Sequence, residues 1–200
     1  MIMAKTPVAV LGTLAEFHKE PIPFDLNALV QLVARLRPDL LCVDMTHEQW
    51  QQRDFGGLPP EYREALLPLA YQTDIVIAPI AGEHPPEEPT VPGWRGKVIA
   101  ILRRWLATLQ RTSPGPDAIN QGLRHLMADL LYSLSAWLAG PTTGQKLRDH
   151  TQRLTQAVRE LARRDPGARI LVVVDVRHCH LIRAALRKYP EIQVVKYLDL

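Results

Sequence analysis

Cysteine is scarce: in 200 residues it occurs twice, as Cys42 and Cys179. Two distant thiols exclude a disulfide-dense scaffold and the paired C-x-x-C clusters of zinc modules. Aromatic residues make up 6% of the chain, too few to interleave with basic side chains as single-stranded nucleic-acid surfaces do, so nucleic acid is not expected as a partner. No apolar stretch reaches the roughly 18 to 20 residues of a membrane span; even DLLYSLSAWLAG is interrupted by polar positions. The amino terminus lacks the basic, long apolar, small-residue order of a secretory signal, and a reducing, cytoplasmic setting is expected. The familiar catalytic signatures are missing too: H-E-x-x-H, G-x-S-x-G, a Walker loop and G-x-G-x-x-G do not occur, and Gly12 stands alone where a phosphate-binding loop would need several glycines.

What is present points to a single α/β domain over residues 1–200. A hydrophobic content of 46% is enough for one core without staples. Apolar runs at 7–13, 39–45, 74–82, 168–176 and 192–198 read as strands buried on both faces. Between them lie helical patterns, at 26–36 with Asp25 as cap, at 60–74 disturbed by Pro68, and at 179–189. The alternation predicts a mostly parallel sheet flanked by helices. A helical section over about 94–164 separates the third strand from the last two, after a stiff loop with four prolines, GEHPPEEPTVPGW. Its middle helix carries Ile119, Leu123, Leu126, Met127, Leu130, Leu131, Leu134, Trp137 and Leu138 in one wide stripe, which reads as core.

The net charge of +3 divides into −5 over residues 1–100 and +8 over residues 101–200. The basic side chains of the second half are scattered among helical polar faces, a pattern of solvated surface.

Ligands of open parallel sheets bind beyond the carboxyl ends of the strands. The ionisable residues cluster there. Glu16 and His18 follow the first strand, Asp44 and His47 end the second, Glu83 and His84 follow the third, and Asp175, His178 and His180 follow the fourth. Five of the seven histidines thus follow strands in the company of carboxylates. Imidazole and carboxylate together hold first-row metals or exchange protons with a substrate. Asp44 closes an apolar strand, where a carboxylate is costly to bury without a partner. His125 and His150 fall inside helices and read as structural or surface residues. Cys42 reads as core packing, and Cys179 as an inert thiol or a soft ligand.

The order of AVLGT, RPDLLCVDM, a third strand, a helical excursion and VVVDVRHCHLIRAAL resembles the TraB, Tiki and erythromycin-esterase-like superfamily. Members pair an early and a late G-x-x-H with an acidic residue in a P-D-x-x-x-x-E context. The resemblance places Asp44 at the acidic position and His178 at the late histidine, with Asp175 in place of glycine; the early motif reads GTLA, with Ala15 where histidine is expected. It implies a hydrolase-like site acting on a peptide or other carbonyl substrate. Asp44, His178 and Glu16 would be catalytic, and a divalent metal (zinc, manganese or iron) would be held by His178, His180, His18 and Asp44. The rival expectation is a catalytically inactive protein on the same scaffold that binds a small ligand or a partner, with the helical section available for homo-oligomer formation.

Overall fold

The computed structural model describes residues 5–82 and 91–200. The proline cluster and its Glu83 and His84 lie outside the described residues apart from Gly82 and 91–94. In chain order the elements are β1 (Thr6–Thr13), α1 (Leu26–Leu36), β2 (Leu40–Thr46), α2 (His47–Gln52), α3 (Leu67–Tyr71), β3 (Val76–Ala81), α4 (Gly93–Arg111), α5 (Pro116–Asn120), α6 (Gly122–Ala139), α7 (Pro141–Arg164), β4 (Ile170–Asp175), α8 (Val176–Leu186) and β5 (Ile192–Val195). The five strands form one all-parallel sheet in the order β3-β2-β4-β1-β5. No described helix is long and apolar enough to cross a membrane.

Local chemistry sets the boundaries. The Asp25 carboxylate accepts from the Ala28 N–H at the start of α1, and Arg37 ends the helix in the left-handed conformation just before Pro38. Thr46 and Gln49 form a reciprocal capping box at α2. Glu61–Leu66 winds as a π-helical segment that runs straight into α3, where Pro68 is tolerated near the helix start. The middle helix of the 94–164 section breaks at Gln121 into α5 and α6.

Strand residues alternate between two hydrophobic layers, as a period of two requires. Leu41, Val43, Leu171 and Val173 face α1, Tyr62 and Leu66; Cys42, Val172 and Val174 face α7 and α8. The connections after β1 and β2 therefore lie on one face and α8, which follows β4, on the other. With β4 between β2 and β1, neighbouring connections diverge at the carboxyl end of β4, the kind of position at which open parallel sheets place their ligands.

Gly12, near the end of β1, lets α8 approach this edge. A Cβ there would stand 2.7 Å from Cys179 Sγ and 2.9 Å from the Val176 Cα. The Asn120 side chain also clasps the Gly12 backbone, accepting from its N–H at 2.6 Å and donating to its carbonyl at 3.1 Å. This lone glycine thus serves close packing. Gly12→Ala is expected to lower stability by about 1–3 kcal/mol, the usual cost of overpacking. A urea denaturation midpoint equal to wild type would contradict that role.

The stripe on the middle helix corrects the expectation of core. Ile119, Ala128 and Leu138 are buried, but Leu123, Leu126, Met127, Leu130, Leu134 and Trp137 are exposed by 39% to 74%. The reason lies on the opposite side of α6, where polar residues are turned inward and hydrogen-bonded. Arg124 donates to the Thr112 carbonyl at 2.7 Å, and buried His125 donates through Nδ1–H to the Ile119 carbonyl at 2.9 Å.

Candidate functional site

Even-numbered residues of β2 face α7 and α8, so Asp44 points to that side at the strand's end, within a break of register between Val43 and Thr46. There it meets His150, whose place inside a helix suggests a structural or surface residue. His150 Nε2 lies 2.9 Å from Asp44 Oδ2, and both side chains are almost fully buried. His150 occupies the sheet-facing stripe of α7, one turn before Leu154 and in line with Val158 and Ala162. A carboxylate acceptor requires Nε2 to carry the hydrogen. The Nδ1 atom of His150 and the Oδ1 atom of Asp44 are buried with no hydrogen-bond partner among the described residues.

His178 lies beside this pair, with its ring centroid 5.2 Å from that of His150. It stands in the first turn of α8, whose cap is Asp175; the Asp175 carboxylate accepts from the Arg177 N–H and from Arg177 Nη2, each at 2.9 Å. Burial raises the Asp175 carboxyl, but the Arg177 charge and hydrogen bonds outweigh it and hold the group below the usual range. The neighbour that fixes the His178 ring is Thr151. The Thr151 hydroxyl donates its single proton to the Leu147 carbonyl at 2.8 Å, so the His178 contact at 3.1 Å must run from Nδ1–H to Thr151 Oγ1. The Nε2 atom of His178 is left with its lone pair. Burial pushes His178 down to about 4, against the pull of Asp175 and Asp44 and with the help of Arg177 and His150. Near neutral pH it is an uncharged imidazole.

A second group of buried polar residues lies on the opposite face of the same edge. Thr13, an odd-numbered residue of β1, turns toward the π-helical segment. Its hydroxyl is 3.1 Å from the Val174 carbonyl and 2.8 Å from Glu61 Oε1. One hydroxyl proton cannot serve two acceptors. A protonated Glu61 resolves this by donating to Thr13, which then donates to Val174. Burial raises Glu61 to about 7, more than the hydrogen bonds that its ionised form would accept from the backbone and Thr13 lower it, and Asp175 adds to the rise.

The remaining candidates from the sequence take other partners. His18 is buried with both ring nitrogens used. Its Nε2 accepts from the Leu14 N–H at 2.9 Å, its Nδ1–H donates to the Phe24 carbonyl at 2.7 Å, and the Phe24 ring packs edge-on against it. Burial lowers its pKa, so it is a neutral brace for the loop after β1. Glu16 is exposed and lies 3.7 Å from Lys19. Ala15, between them and β1, takes left-handed backbone at φ 50°. His47 is exposed at the start of α2. His180 turns toward α6, with Nδ1 3.0 Å from Asp129 Oδ1. The metal-ligand set His178, His180, His18 and Asp44 is therefore not assembled, because two of its members are engaged elsewhere. Among the described residues no three His, Cys, Asp or Glu side chains gather so as to hold a metal ion. Burial pushes the thiols of Cys42 and Cys179 up to about 12, which makes both inert near neutral pH.

Fold and site together define an open parallel α/β protein with two buried, differently oriented imidazoles at the carboxyl edge of β4. No family model, curated protein or solved structure matches the chain.

Proposed function

We propose that the chain is a hydrolase-like enzyme that works by proton transfer at the carboxyl edge of β4, with His178 as general base, His150 beside it and Asp44 orienting His150. One observation carries this reading. His18 spends both nitrogens on the backbone, as a structural histidine does, whereas His150 Nδ1 is buried with no hydrogen-bond partner among the described residues and the Thr151 contact leaves His178 Nε2 with its lone pair. A buried imidazole lone pair without a partner is costly and suits a group that must accept a proton.

In this mechanism His178 Nε2 takes a proton from water as the water oxygen bonds to the substrate's carbonyl carbon. The same nitrogen returns the proton to the leaving group as the bond from carbon to that group breaks. The peptide or other carbonyl substrate class comes from the resemblance to TraB and Tiki proteins, and the proton chemistry from the residues. His178 is only 4% exposed, which favours a small acyl or peptidyl group over a folded protein. The step is written without a metal, since among the described residues the donors do not form a three-ligand set.

The test is hydrolysis of a panel of small esters, amides and short peptides by the full chain, read by mass spectrometry with and without added zinc, manganese or iron. Turnover by the wild type that disappears in His178→Ala is expected. No turnover of any substrate, or equal turnover by a folded His178→Ala variant, would favour the inactive ligand-binding reading.

A further inference from the structure

We propose that α6 is the seam of a homodimer, pairing antiparallel with α6 of a second copy about a two-fold axis at Leu130. This inference is independent of the catalytic reading, and it starts from a helix whose sides are reversed. The ionisable residues Arg124, His125 and Asp129 of α6 are all turned inward, toward Thr112, Ile119 and His180. The outward face, Leu123, Leu126, Met127, Leu130, Leu134 and Trp137, carries no charge, and Ser133 is its one polar interruption. A solvent-facing stripe should be polar, and a helix that is apolar on its outer side is one meant to be covered.

The amount of exposed apolar surface fits a dimer. The antiparallel neighbour α4 adds exposed Trp94, Ile101 and Trp105. Together these side chains expose on the order of 1,000 Å² of apolar surface, against roughly 300–600 Å² for the largest patch of a typical monomer and about 800 Å² per partner in a standard interface. The spacing selects the partner. The stripe repeats every seven residues, as in a coiled-coil seam, and is symmetrical about Leu130. Running two copies in opposite directions therefore sets Leu130 against Leu130, Leu126 against Leu134 and Leu123 against Trp137. This is the self-complementarity that a two-fold interface requires, and along the α6 seam it brings no like charges together. A helix lying on a membrane would instead flank its apolar face with lysine and arginine; the single arginine of α6 is turned inward, and the exposed Arg95, Lys97, Arg103 and Arg104 belong to α4, so vesicle binding is the outcome that separates a lipid surface from a second copy.

Light scattering coupled to size exclusion should give twice the 22.6 kDa chain mass for the wild type and the monomer mass for Leu130→Asp, whose exposed position spares the core. Oxidised Leu130→Cys should cross-link to itself, because the two-fold axis places the two residues together. Leu123→Cys should not, unless Trp137→Cys is present in the same chain. The native cysteines are buried and do not interfere. A wild type that stays monomeric at 100 µM, equal self-cross-linking at Leu123 and Leu130, or a monomer that cosediments with anionic vesicles would each overturn the proposal.

Discussion

His178→Ala is expected to lower kcat/KM by about 10²–10⁴-fold, the range in which a positioned general base acts. The fold should survive, because the side chain removed is a neutral ring at the edge of the core, and far-UV circular dichroism would verify this. The partners of His178 predict a graded series. Thr151→Val removes the acceptor that holds Nδ1–H and so frees the other tautomer; it should reduce kcat more than it alters KM. Thr151→Ser keeps the hydroxyl and should restore most of the activity. Asp44→Asn should reduce turnover while Asp44→Glu retains part of it, since a carboxylate is what fixes His150 Nε2–H. The acid limb of the rate profile is expected near pH 4 instead of 6.5, because burial holds the base deprotonated far below its ordinary range. An acid limb at 6.5, or a Thr151→Val variant with wild-type kinetics, would remove His178 from the proton-transfer role.

The second large effect concerns Glu61. In the unfolded chain its carboxyl loses a proton near 4.5, but in the fold only near 7. Its contribution to stability is therefore complete below pH 4.5 and is lost as pH rises through 7. His178 behaves in the opposite way: its pKa falls from 6.5 unfolded to about 4 folded, so its contribution is complete above 6.5 and is lost as pH falls through 4. Between 4.5 and 6.5 the two slopes oppose each other. Shifts of this size correspond to about 3 kcal/mol each. Glu61→Gln removes one of the slopes and can still donate to Thr13. At pH 8 the variant should be more stable than wild type by about 2–3 kcal/mol, a rise in Tm of roughly 5–10 °C for a chain of this size. Relative to wild type it should lose that advantage progressively as the medium acidifies to pH 4.5. Thermal melts across pH 4–9 measure both. A variant less stable than wild type at pH 8 would mean that the ionised Glu61 is stabilised by its partners instead of penalised by burial.

Much of the sheet was legible because its strands are buried on both faces and so appear as continuous apolar runs; Ile170–Val174 is the clearest. Asp44 was legible for the same reason, as a carboxylate at the end of such a run. The partner that makes Asp44 intelligible was not. His150 lies 106 residues away on a helix, and its only signal is that it shares the stripe of Leu154 and Val158, one turn upstream. Once that stripe is assigned to the sheet, His150 must lie at the sheet's edge. His18, by contrast, looked like a ligand because it follows a strand, yet the loop needed both of its nitrogens for the backbone. Glu61 gave no signal, since a π-helical turn cannot be read from apolar spacing. The α6 stripe shows a different limit: periodicity reveals that a helix has an apolar side but not which side meets the protein. Only the inward hydrogen bonds of Arg124 and His125 settle that.

The most direct test of the account is the protonation state of His178, read from its two ring nitrogens by ¹⁵N-correlated NMR across pH 3–8. A neutral ring with hydrogen on Nδ1 and a bare Nε2 throughout the neutral range, titrating near 4, is expected. A ring protonated on Nε2, or a titration close to 6.5, would contradict it.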